Sequence, residues 1–186
     1  MSSKVERLAQ RYEQFCSLPW ERSLAGPQRI WFAVYDKNDE RRLRARVSEF
    51  EVITKRAGHG WRLVDLTDAF GRWMASQEYR ESYFEAPEDL ELLLPEFEQT
   101  VVDQIKAELE QPDTDEDTVV AVQGIACLFG FTKVSSVINK VASSVRGRLL
   151  VFFPGEHEDN NYRLLDARDG WNYMAIPITA HDGAEA

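Results

Sequence analysis

The stretch Gln123–Val141, QGIACLFGFTKVSSVINKV, sets two glycines, a lysine and two hydroxyls between a β-branched run (Thr118–Val122) and a helical periodicity. Strand, glycine turn, lysine, hydroxyl and helix are the parts of a phosphate-binding loop, whose successive amides wrap a phosphate. The spacing does not fit. A Walker loop has four residues between its glycines and a lysine directly after the second. Here five residues separate Gly124 from Gly130, and Phe131 and Thr132 precede Lys133. The interior, Ile125–Phe129, is apolar where a phosphate cradle is small and polar. The segment therefore reads as an apolar turn. Leu128, Phe129 and Phe131, with Lys133 and Lys140 beside them, form a candidate partner-binding surface; the alternative is burial within the monomer.

A second set of chemical groups stands where predicted strands end: Asp36, Asp65, Gln123 with Gly124, and Glu156 with His157. Open α/β sheets gather their sites outside the carboxyl ends of strands. Carboxylates and one histidine in such a crevice could bind a divalent cation or move protons. An aspartate at a strand exit also caps the next helix or turn. The patterns G-x-G-x-x-G, C-x-x-C, H-E-x-x-H and G-x-S-x-G are absent. His59, His157 and His181 lie far apart in the sequence, so a histidine metal cluster is not expected. No cofactor and no catalytic residue is assigned on this basis.

The elements that would position these groups alternate. An amphipathic stripe (Val5, Leu8, Ala9, Tyr12, Phe15) predicts a first helix. RIWFAVY, residues 29–35, is apolar without alternation, as in a strand covered on both faces. Leu43, Val47, Phe50 and Ala57 predict one helix from a cap at Asp39 to a stop at Gly58, with Arg41, Arg42, Arg44 and Arg46 on its outer face. WRLVDL predicts a second strand, followed by a helix from Thr67 or Asp68 to about Phe84. Pro95 opens or kinks the helices of residues 87–111. Val119–Gln123 and RLLVFFPGE are the third and fourth strands, and at least one of Phe152 and Phe153 is expected in the core. YRLLD and WNYMAIPI, separated by a turn at residues 168–170, are expected to form a hairpin. The fold class is thus α/β: a single domain over residues 1–178, with a mainly parallel twisted sheet of about five strands, helices on both faces and a possible antiparallel edge. Residues 179–186 are expected to be a disordered tail.

The net charge of −10 is uneven. Residues 78–117 hold 15 acids against Arg80 and Lys106, whereas residues 131–148 hold four basic residues and no acid. The acidic stretch repels phosphates, so direct DNA binding is expected to be weak or absent, with a local contact through the arginine face as an alternative. The acidic region itself reads as a solvated surface or as a second candidate partner surface. No apolar run reaches the length that spans a bilayer, and the amphipathic start lacks the apolar centre of a signal peptide. With Cys16 and Cys127 each in apolar sequence, a cytoplasmic chain with reduced cysteines is expected.

One resemblance covers residues 118–178. A strand ending in glycine, an aromatic turn, a basic residue, a serine-bearing helix with Ile138-Asn139, and then LLVFFPGE are similar to the BrxB family of bacterial BREX phage-defence systems. YRLLDARDGWNYMAIPI resembles that family's closing segment. The chain departs from the family's frequent Arg-Ser-His where it has Lys133-Val134-Ser135-Ser136. The resemblance implies a small, non-catalytic assembly component that binds other BREX proteins, most plausibly PglZ, an alkaline-phosphatase-like protein. The reading from another class is a nucleotide- or metal-dependent enzyme or sensor using the strand-end carboxylates.

Overall fold

The computed structural model describes residues 2–167 and 170–181. The strands are β1 (Ile30–Tyr35), β2 (Gly60–Asp65), β3 (Thr118–Gln123), β4 (Arg148–Glu158), β5 (Asn161–Leu164), β6 (Trp171–Asn172) and β7 (Ile176–Ile178). Five of them form a parallel sheet in the order β2-β3-β4-β1-β7. The fold is α/β, as the alternation of elements predicts.

Helices cover both faces. α1 (Lys4–Ser17), α2 (Glu40–Arg44) and α3 (Val47–Arg56) pack on one. α4 (Ala69–Ser76), α6 (Leu94–Leu109) and α7 (Val134–Val141) pack on the other, while α5 (Arg80–Glu85) buries none of its residues. Alternate strand residues serve alternate faces. Trp31, Ala33, Tyr35, Leu150 and Phe152 lie in the core on the α1–α3 side; Ile30, Phe32, Val34, Leu149 and Phe153 lie in the core on the α6–α7 side, where Phe32 and Phe153 pack on the rings of Tyr162 and Trp171. Both Phe152 and Phe153 are fully buried, one on each side. This is why β1, β3 and β4 read as nearly unbroken apolar runs, while the edge strand β2 carries Arg62 and is largely exposed.

Local chemistry fixes the element ends. Ser3 and Glu6 close a capping box on α1, with Glu6 N donating to Ser3 Oγ at 3.2 Å and Ser3 N to Glu6 Oε2 at 2.7 Å. Gly58, at φ +88°, follows α3 in the left-handed region where helices stop. Pro95 sits in the first turn of α6 and does not kink it.

Three expectations are corrected. The single helix from Asp39 to Gly58 is two, α2 and α3, broken at Ala45-Arg46, and Asp39 makes no side-chain cap. The helix expected to reach Phe84 stops at Ser76 and restarts as α5. WNYMAIPI is not one strand of a hairpin. Its start, β6, pairs antiparallel with β5, and its end, β7, pairs parallel with β1. The antiparallel part branches from the far end of β4, through β5, and ends at β6. From Gly155 onward β4 leaves its parallel neighbours and pairs with β5 as a projecting hairpin. Tyr162 Oη in β5 donates to the Ala175 carbonyl at 2.6 Å and ties the hairpin to the approach to β7. Arg168 and Asp169 of the expected turn, and residues 182–186 of the expected tail, lie outside the described residues. Ala180 packs on the α1 side of the core, and Thr179 Oγ1 donates to the His181 carbonyl at 3.0 Å. Among the described residues no helix is long and apolar enough to cross a membrane.

Candidate functional site

The chain leaves β1 toward the α1–α3 face and leaves β4 toward the α6–α7 face, where β5 packs. Neighbouring strands whose exits diverge leave a crevice between them, the usual ligand position in open α/β sheets. A hollow of about 360 Å³ lies there, lined by Tyr35, Asp36, Lys37, Glu156, His157 and Asp166 among others. Three of the five strand-end residues therefore meet: Asp36, Glu156 and His157. Asp65 and Gln123 do not join them. They cap the β2–β3 side, where Gln123 Nε2 donates to Asp65 Oδ2 at 3.0 Å and Thr67 N donates to Asp65 Oδ1 at 2.9 Å.

The crevice groups are engaged locally. Asp36 accepts from the backbone and side chain of Asn38, both at 2.9 Å, and the Asn38 backbone N–H leads the causes that hold its pKa below the usual carboxylate range. Lys37 pairs with Asp166, and Glu156 with Arg163 at 3.5 Å. His157 lies against the Tyr162 ring at 4.5 Å, and burial lowers its pKa. Among the described residues no group of three or more His, Cys, Asp or Glu is placed to hold a metal ion.

The turn after β3 is built for packing. Gly124 has φ +79°, and a Cβ there would lie 2.5 Å from Thr67 N. The glycine lets two strand-end loops touch, with no room for a phosphate between them. Ile125 and Leu128 are fully buried. Phe131 stacks on Phe70 at 4.0 Å and meets Phe97 edge-on at 6.2 Å. Leu128 is thus core and unavailable as an anchor, because the 3-10 turn of residues 125–128 points it inward. Phe131 is partly buried, and only Phe129 is well exposed, at 45%. Lys133 is exposed just before α7. Lys140 donates to Glu98 at 2.6 Å, and Glu98 also accepts from Ser136 at 2.7 Å and from Thr132.

The arginine face is mostly neutralised. Arg42 pairs with Asp39 at 2.9 Å and Arg44 with Glu40 at 2.6 Å. Arg46 bridges Glu6 at 2.6 Å and Glu49 at 3.3 Å. Arg41 stays exposed. A continuous basic patch does not form, because α1 and the turn before α2 bring acids against it.

Residues 77–93 form an open surface. α5 and the following 3-10 turn (Pro87–Leu93) bury no residue fully. Tyr83, Leu90 and Leu93 rest on the core, while Tyr79 (63% exposed), Phe84 (67%) and Leu92 (87%) face outward among Glu78, Glu81, Glu85, Glu88, Asp89 and Glu91. Two shallow hollows meet beside this arm at Ala75, one of them lined by Phe70, Cys127, Phe129 and Phe131. The acid density of the arm is visible in the sequence. Its apolar exposure is not, because Tyr83 and Phe84 are adjacent and only the break at Gln77 decides which one turns outward.

No family model, curated protein or solved structure matches the chain.

Proposed function

We propose that this protein is a non-catalytic binding component that captures another protein through the acidic arm of residues 77–93. The observation that carries this is the outward placement of Tyr79, Phe84 and Leu92 among six acids and a single cation, Arg80. Large apolar side chains held in water contribute nothing to the monomer, and aromatic anchors ringed by charge are the form of an interface hot spot. The complement is a partner surface with an apolar pocket inside a basic rim. Charge sets the encounter rate, and the apolar contacts hold the complex. The resemblance of residues 118–178 to the BrxB family supports placing that partner in a cytoplasmic BREX phage-defence system, with PglZ as the first candidate.

Co-expression with a PglZ-like protein tests the reading. The two should co-purify, more weakly at high salt. Phe84→Ser with Leu92→Ser should abolish capture while the melting temperature stays unchanged. Normal capture by that variant would remove the arm from the interface. Failure of the native chain to capture PglZ would remove that partner.

A further inference from the structure

Three guanidinium groups gather at the amino-terminal ends of the strands, away from the crevice, and each donates to backbone carbonyls. Arg148 opens β4 and is only 4% exposed. Its Cζ lies 5.0 Å from the Trp20 ring and 5.7 Å from the Trp31 ring, and His59 stacks behind Trp20 at 3.6 Å. It donates to the carbonyls of Gly147 at 3.0 Å and Glu21 at 3.1 Å, while its buried Nε–H has no partner. Arg29 donates to the carbonyls of Leu24, Val145, Arg146 and Arg22. Arg146 donates to those of Leu109 and Gln111.

Among the described residues, none of these three makes an ion pair, although Arg22, Arg42, Arg44, Arg46 and Arg62 all do. Acids stand near without pairing: Asp115 feels the charge of Arg146, and Glu21 that of Arg148. A buried cation with no counter-charge is costly. Burial lowers the Arg148 pKa, and the charge of Arg29 pushes the same way.

We propose that this corner is an oxyanion site that takes the phosphate group of a small ligand. Guanidinium forks match phosphate oxygens and are weakly hydrated, so they suit a half-buried anion site. The notch between Trp20, Arg29, Arg146 and Arg148 holds about 20 Å³, room for one water, and Arg22, Glu116 and Asp117 complete its lining, so a phosphate enters only as these three swing outward. Its cover is Arg22, paired with Glu116 at 3.0 Å and Asp117 at 3.7 Å, with side chains 69%, 58% and 56% exposed. Exposed pairs of this kind contribute little and part easily. A phosphate takes the place of the two acids as counter-ion and gains Arg22 as a further donor.

Calorimetric titration of the full chain tests this, with ionic strength held constant by chloride. The probes are inorganic phosphate and a nucleoside monophosphate. Saturable phosphate binding is expected. Glu116→Gln with Asp117→Asn should tighten it, and Arg146→Gln should weaken it by about tenfold, roughly the worth of one charge-assisted hydrogen bond. Equal affinity for the two probes makes the phosphate group the whole recognised unit; tighter nucleotide binding makes a nucleotide its source. No saturable signal in either the native chain or the Glu116→Gln/Asp117→Asn variant overturns the proposal, as does binding indifferent to Arg146→Gln. Should Arg146→Gln unfold, the acid-neutralised variant alone decides.

Discussion

The turn after β3 and the arm after α4 both follow a sheet-packed element, and both carry aromatic and leucine side chains. The turn places Leu128 in the core and stacks Phe131 on Phe70. The arm leaves Phe84 and Leu92 in water. The difference lies in what the backbone must do next. The turn has to hand the chain from β3 to α7 within one loop crossing, so Gly124 folds it flat against Thr67. The arm belongs to the long β2-to-β3 connection, where α4 and α6 supply the buried face, and of residues 77–93 only Tyr83, Leu90 and Leu93 rest on the core. Apolar residues that the fold uses and apolar residues it leaves over look alike in sequence and differ in consequence.

Mutagenesis can break that contrast. Leu128→Ala should cost about 2–5 kcal/mol of unfolding free energy, the range for a buried leucine, whereas Leu92→Ala should stay within about 0.5 kcal/mol. Equal denaturation midpoints for the two would erase the distinction. Gly124→Ala should destabilise by about 1–3 kcal/mol for its left-handed φ, and by more where the new Cβ meets Thr67. A neutral result in urea unfolding would mean that the loop relaxes freely.

The pH dependence sharpens the same comparison. Burial alone would raise the Glu98 pKa, but hydrogen bonds from Lys140, Thr132 and Ser136 outweigh it and hold the value below the ordinary 4.5. A depressed folded-state pKa stabilises above the unfolded value, and that stability is lost as pH falls through the folded value. Thermal stability should therefore drop on acidification below about pH 4.5, and Glu98→Gln should flatten that part of the curve. Arg42→Gln, which removes the pair between an exposed arginine and the buried Asp39, should lower stability by about 1 kcal/mol or less in a melt.

The sheet was legible because its strands are apolar runs bounded by Asp, Gly and Pro, and each boundary carries its own chemistry. The burial of Phe152 and Phe153 follows from such a run. What escaped depends on long-range meetings. The acids that neutralise Arg44 and Arg46 include Glu40 nearby but also Glu6 from α1, and no local pattern announces that contact. The split of WNYMAIPI into β6 and β7 depends on Tyr162 anchoring Ala175. Of the strand-end residues, Asp36, Glu156 and His157 converge because β1 and β4 are neighbours. That adjacency follows from strand order, which the sequence does not spell out.

The same adjacency has a consequence for synthesis. β1 is apolar on both faces, and both of its pairing partners, β4 and β7, come from the last part of the chain. A ribosome adding roughly 5–20 residues per second needs on the order of ten seconds to travel from Tyr35 to Arg148. Through that interval a greasy strand with two bare edges waits for neighbours not yet made, the state most open to mispairing. The nascent chain is therefore the form of this protein most in need of a chaperone, and early truncations should accumulate in the insoluble fraction.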